Sequence, residues 1–298
     1  MKQNLFRNQS IADMVFDLIK IIVLGFACIV IIYPLYYVLV ASFTEPQIVN
    51  SGKLLLYPEE LFLGGYQRIL QYKPVWTGYW NTIRYTVVGT AISLFATVPC
   101  AYALSRKDLF MRRQLMFLFT FTMFFTGGMI PLYLVIRNLN LYNTIGAMTL
   151  PSAVSVWNLI VCRSFFESTL PDELLEAARI DGCTDYNFFF GIVLPLSSTI
   201  IAVMILFYAT TLWNSFMNAH IFLSDGSKMP LSVVLRNLIM VNQARNLTAD
   251  AKQIVMRQKM AEQLKYGIIV VAALPLLVSY PFLQKYFTKG VMVGSIKG

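Results

Sequence analysis

The sequence predicts an all-α integral membrane protein with about six transmembrane helices. Three observations carry this. Of 298 residues, 57% are hydrophobic and only 13% charged, a balance foreign to water-soluble domains. Six apolar runs each approach or exceed roughly 20 residues, the length a helix rising about 1.5 Å per residue needs to cross ~30 Å of hydrocarbon. No Asp, Glu, Lys or Arg interrupts the centres of those runs.

The first run, 16–40, follows Lys2 and Arg7 and superficially resembles a secretory signal. Its apolar part, 21–40, is too long for a signal core, and Tyr33-Pro34 stands where a small-residue cleavage site is expected, so a retained membrane helix is predicted. Further spans are predicted at 81–104, 115–135, 142–161, 192–213 and 266–286. Gly127-Gly128 and Pro131 should break or kink the third, and Pro275 and Pro281 the sixth, because proline withholds a backbone donor.

An even number of spans places both termini on one side. Total Lys and Arg nearly tie across the two sides, but short loops at helix ends weigh most. Loop 105–113 holds Arg106, Lys107, Arg112 and Arg113, whereas loop 137–141 holds one basic residue. Both termini are therefore expected in the cytoplasm, in agreement with Lys285, Lys289 and Lys297 near the C-terminus. Segments 42–80 and 214–265 then lie outside. In the second, Ile254, Val255, Met256, Met260, Ala261 and Leu264 recur at helical spacing among Lys252, Arg257, Lys259 and Glu262. An amphipathic helix over 250–264 is predicted, lying flat on the membrane or protein, or docking a partner. Without repeats or low-complexity linkers, the chain is expected to be one membrane domain.

Several functions are excluded or disfavoured. The net charge of +9 is spread between apolar runs rather than gathered in a stripe, which argues against nucleic acid. Cys28, Cys100, Cys162 and Cys183 form no CxxC pair, and His220 is the only histidine, so no disulfide framework, zinc site or paired-histidine catalysis is indicated. Lys20, Arg84 and Lys285 fall near span ends, where long side chains snorkel. Ion-coupled carriers usually keep an ionisable group or a broken-helix ion site at mid-membrane. No GxxxxGK[ST] occurs, so any ATP that drives this protein is hydrolysed by another chain.

Carboxylates gather between Glu167 and Asp185. Pro171, Asp172 and Glu173 suit a helix start, where free amides favour negative charge. Gly182 suits its stop, since glycine enters the left-handed region without steric penalty. A short helix, a turn and a second short apolar helix through Phe188, Phe189, Phe190, Ile192, Val193 and Leu194-Pro195 are predicted. Leu174, Ala177, Ala178 and Asp181 share one face of the first helix, with a small-residue profile that lets another surface approach. The alternative is a re-entrant hairpin packed on its own bundle.

Glu176-Ala177-Ala178, Gly182 four residues later, and the apolar stretch closed by Leu194-Pro195 resemble the signature of permeases in binding-protein-dependent ABC importers. Arg106 and Lys107 after the second span, Trp213-Asn214 after the fifth, and the segment 280–290 extend the resemblance to the carbohydrate-uptake group. Within it the chain is similar to the six-span second subunit of maltose-type permeases, in the complex-oligosaccharide branch.

The resemblance implies a type I ABC importer permease fold: an N-terminal segment over 1–76, the transmembrane domain over 77–287, and a cytoplasmic tail over 288–298. It implies a coupling helix carried by Glu176, Ala177, Ala178, Asp181 and Gly182, with Arg179 as a supporting charge. It implies no cofactor in this chain, with ATP and Mg bound by a partner ATPase dimer. It also implies a second homologous permease subunit and an external solute-binding protein that delivers an oligosaccharide. Trp157, Asn158, Tyr208, Trp213 and Asn214 are candidates to line a sugar path; interfacial belt or core filler is the competing role for the aromatics. An ion-coupled or passive carrier, or a permease for a non-sugar solute, remains the alternative.

Overall fold

The protein was analysed as a computed structural model that describes residues 11–45, 48–49, 51, 57–58, 61–244, 264–275, 277–278 and 281; among these, every regular element is helical. Compactness divides the chain into two units, Met1–Gln71 with Ile239–Val271, and Tyr72–Leu238 with Ala272–Gly298.

The first unit is dominated by α1 (Ile11–Phe43), 33 residues long, or about 50 Å at the helical rise. It extends past the predicted span at both ends and leaves nearly all its apolar side chains exposed. An exposed apolar rod of this length is what a bilayer solvates. Its last turn is anchored instead: Val40 and Ala41 are buried with Val49. The Tyr66 hydroxyl of α2 (Gly64–Gln71) donates to Ser42 Oγ at 2.8 Å, and the Tyr66 ring stacks on Phe43 at 5.1 Å.

The second unit is built around α3 (Lys73–Ser105). It starts eight residues before the predicted 81, because Pro74 sits in the first turn, where its missing N–H costs nothing. The third predicted span is two helices, α4 (Arg112–Phe124) and α5 (Met129–Asn138), bent by 112°. The break falls at the expected glycines, with Gly128 at φ +83. The fourth is α6 (Ile145–Ser152) and α7 (Val156–Thr169), bent by 52°. Ser155 caps α7 by accepting from Asn158 N, and α7 runs eight residues past the predicted end at 161, its last turns held by the buried Phe166 and the Arg163–Glu167 pair.

The fifth span needs the largest correction. Residues 192–196 belong to α9 (Asp185–Leu196), and the crossing helix is α10 (Ser198–Trp213), bent 78° from it. Pro195 has no N–H to give, and the preceding turn over Phe189–Val193 widens to π-helical geometry, so the chain turns at Ser197 instead of running straight. The arm between α7 and α9 carries α8 (Asp172–Ile180). Beyond α10 follow α11 (Phe216–Phe222) and α12 (Leu231–Ala244).

Among the described residues, two helices are long and apolar enough to cross a membrane unbroken, and up to five crossings result if each bent pair counts as one. The sixth predicted run starts in α13 (Leu264–Pro275); most of its remainder and nearly all of the predicted amphipathic helix lie outside the described residues. The main core of the second unit joins Ala101 and Leu104 of α3, Leu159 and Phe166 of α7, Leu175 and Ala178 of α8, Phe188 and Val193 of α9, and Met204 and Tyr208 of α10.

Candidate functional site: the arm between the fourth and fifth spans

α8 is nine residues long, with Asp172 and Glu173 in its first turn and Arg179 in its last, each charge complementing the helix dipole at its end. It stops as Gly182 predicts. Gly182 adopts φ +77; its N–H reaches Arg179 O at 3.0 Å, and the Cys183 N–H reaches Ala178 O at 2.9 Å. These are the two bonds of a Schellman stop, which requires a left-handed residue at that place.

Burial gives α8 two faces. Leu175 and Ala178 are 3% and 8% exposed and enter the core with Phe188. Glu173, Glu176, Ala177 and Ile180 face outward. The predicted four-residue face is therefore corrected: Ala178 anchors the arm, while Ala177 stands on the free side. Ile180, missed from the sequence, is 86% exposed. It is the apolar residue one turn beyond Ala177, a spacing that could have flagged it. Tyr186, on the following turn, is 73% exposed. Among the described residues Glu176 makes no hydrogen bond or ion pair, so it is not spent on local backbone amides.

Charge pairs lash α8 to loop 106–111. Lys107 Nζ donates to Asp172 Oδ2 at 2.7 Å, and Arg106 lies 3.9 Å from Asp172. Arg106 also donates to Asp108 at 3.2 and 3.3 Å. Arg179 bridges Asp108 at 3.4 Å and Asp185 at 3.3 Å, tying both ends of the arm to one loop. Glu167, at the end of α7, accepts from Arg163 at 2.7 Å and from Arg112. A cavity of about 530 Å³ with Tyr102, Arg106, Glu167 and Asp172 on its walls lies between these elements.

The hydrogen bond from Arg106 holds the Asp108 carboxyl below its ordinary value of 3.8, and that from Lys107 does the same for Asp172. A carboxylate depressed in the folded state contributes stability above its unfolded pKa and loses it as pH falls through the folded value. The lashing is thus complete at neutral pH, and its loss begins below about pH 4. Amide protection factors of 172–180 are expected to stay constant from pH 5 to 8 and to fall below that limit; Asp172→Asn should lower them at neutral pH.

The sugar-path candidates differ in exposure and in what holds them. Trp157 is 59% exposed on α7 and its neighbour Asn158 is buried. Tyr208 is 1% exposed; its hydroxyl lies 2.6 Å from Thr97 Oγ1 and accepts from Ser155 N at 3.1 Å. It thereby locks the α6–α7 break to α3 and presents no free edge. Trp213 is half-buried and Asn214 exposed at the end of α10, with Asn214 Nδ2 donating to Thr210 O.

The chain matches the family described as binding-protein-dependent transport system inner membrane component over residues 5–293. It belongs to that family. The polygalacturonan/rhamnogalacturonan transport system permease protein YtcP of Bacillus subtilis (strain 168) is 41% identical, over 91% of this chain and 94% of that one. The arabinooligosaccharides transport system permease protein AraQ of Halalkalibacterium halodurans is 29% identical, over 93% and 96%. A crystal structure of a bacterial ABC transporter involved in the import of the acidic polysaccharide alginate contains a chain with TM-score 0.82 and 32% identity, covering 95% of this chain and 100% of that one. The fold is that of a type I importer permease, and this importer permease is a membrane subunit without enzymatic activity of its own, ATP hydrolysis residing in a separate chain. Family membership brings an ATPase and a solute-binding protein as partners.

Proposed function

We propose that this permease carries an oligosaccharide across the cytoplasmic membrane as one half of a two-permease pathway, with both termini in the cytoplasm and α8 as the surface that an ATPase dimer grips. The observation that carries the reading is the division of α8 itself. Its rear is fixed by Leu175, Ala178 and the Asp172 and Arg179 pairs, while Ala177 and Ile180 stand bare beside Glu173 and Glu176. A helix held rigidly on one side and unpartnered on the other transmits motion: when two ATPase subunits close on ATP and Mg, the arm moves with them and the bundle it is packed in rocks. The energy acts through contacts that differ between the two states.

Glu176, Ala177, Arg179, Asp181 and Gly182 set the exposed shape of that surface and its end, and Ile180 joins them. The oligosaccharide class rests on the substrates in the relatives' names. On the sugar path, exposed Trp157 and Asn214 and half-buried Trp213 are better placed than buried Tyr208 and Asn158. The test is to tag the chain in its own cell, solubilise gently and identify what co-purifies, alongside uptake of labelled oligosaccharides. Recovery of a Walker-motif ATPase with a second permease, and uptake lost on deletion, is expected. Recovery of this chain alone with uptake that collapses on dissipating an ion gradient would replace the reading with an ion-coupled carrier.

A further inference from the structure

A second recess, of about 600 Å³, opens beside the start of α4 and is lined by Lys107, Arg112, Arg113 and Arg163 with Leu109 and Met116. Four cations face it and no carboxylate lines it. Two acids answer them from behind: Glu167 takes Arg112 and Arg163, and Asp172 takes Lys107, so four positive charges less two negative leave +2. Arg113 has no hydrogen-bond or ionic partner among the described residues. A recess with uncompensated positive charge fits an anion.

What lies below the recess selects the kind of anion. Arg113, Phe117 and Phe121 follow one another at four-residue spacing, so they run down one side of α4, and Phe125 follows at the same interval as the residue that ends the helix. Their rings form a ladder, with centroids 6.3 Å apart between Phe117 and Phe121 and 4.5 Å between Phe121 and Phe125. Phe117 is 73% exposed and Phe125 68%. Twelve residues of helix reach about 18 Å, comparable with one leaflet of hydrocarbon, ~15 Å. A charged head above an exposed apolar stripe one leaflet deep is the complement of an amphiphile, which a free phosphate would use only at its top.

We propose that this recess binds the phosphate headgroup of an anionic phospholipid of the cytoplasmic leaflet, its acyl chains lying along the Phe117–Phe121–Phe125 ladder. The inference takes from the proposed function only that loop 106–111 faces the cytoplasm. Basic recesses between helices on that side are suited to such headgroups.

The test uses the full transporter complex in nanodiscs holding equal phosphatidylglycerol and phosphatidylcholine, with retained lipid counted by native mass spectrometry. Wild type should retain phosphatidylglycerol over phosphatidylcholine, and excess inorganic phosphate should not displace it. Arg113→Gln should reduce retained phosphatidylglycerol about fivefold, the factor equivalent to ~1 kcal/mol per basic residue at a membrane surface; Arg113→Lys should preserve it. No lipid preference in wild type, an unchanged Arg113→Gln, or displacement by inorganic phosphate would each overturn the proposal. If Arg113→Gln does not assemble, the wild-type preference and the phosphate competition decide. ATPase recovery, scored on the same sample, keeps the two readings apart: an intact complex without lipid preference defeats only the lipid site.

Discussion

Ala177→Trp is expected to abolish uptake without lowering the thermal stability of the permease. Ala177 is exposed on the outer face of α8 and lies outside the core that Leu175 and Ala178 enter, so an indole there would meet chiefly the ATPase that the proposed function seats on that face. Losing a close-fitting contact at the centre of an interface costs about 2 kcal/mol or more, which weakens ATPase capture roughly 30-fold. Its neighbour provides the contrast. Ala178 is 8% exposed and buried with Leu175 and Phe188. Ala178→Trp must overpack that core, at about 1–3 kcal/mol, and should lower the melting temperature as well as uptake. Thermal scans of the two purified variants, beside ATPase pull-down, separate docking from anchoring. A destabilised Ala177→Trp with an unaffected Ala178→Trp would reverse the assigned faces of α8.

That contrast shows where the sequence was ambiguous. Leu174 and Leu175 are adjacent, and adjacent residues differ by about 100° around a helix, so either could have led the buried face. A face drawn from Leu174 contains Ala177 and Ala178 together; the burial of Leu175 puts Ala178 behind and leaves Ala177 in front. The ends of α8 were legible because their signals are local: acids at the start, and a glycine whose positive φ the stop requires. The break at Gly127-Gly128 was legible for the same reason. The bend at Ser197 was hidden inside a continuous apolar run, where hydropathy counts residues but not direction. The type of Tyr208 suits a sugar path as well as a core lock, and its burial was not legible because the bonds that hold it, to Thr97 and Ser155, join residues distant in sequence. The ion pairs of loop 106–111 with Asp172 and Arg179 are equally non-local and left no trace beyond charges counted for topology.

Gly78→Leu is expected to be among the most damaging substitutions in the second unit, far worse than Gly89→Ala on the same helix. A Cβ at Gly78 would come 3.0 Å from Leu231 Cα and 3.1 Å from Leu231 N, both backbone atoms at the start of α12. That backbone cannot swing aside, because the Leu231 N–H donates to Thr82 Oγ1 at 2.9 Å. The preceding loop is lashed to α3 as well: Asn81 Nδ2 donates to Ser227 O at 2.8 Å and Met229 O at 3.1 Å, and the Tyr85 hydroxyl donates to Lys228 O at 2.8 Å. A leucine therefore pries off a whole set of bonds. Overpacking at about 1–3 kcal/mol, with one or two buried bonds lost at ~1 kcal/mol each, gives a destabilisation of about 2–4 kcal/mol. At Gly89 the nearest atoms are Leu212 Cδ1 at 2.7 Å and Cδ2 at 3.0 Å, with Thr149 Cγ2 at 3.2 Å. The leucine tip can turn to another rotamer, and alanine returns up to ~1 kcal/mol of helix propensity, so Gly89→Ala should come out near neutral. Thermal unfolding of the purified complexes, with limited proteolysis at 223–230, checks both. Intact protection of that loop in Gly78→Leu would show that α12 yields where the backbone contact says it cannot.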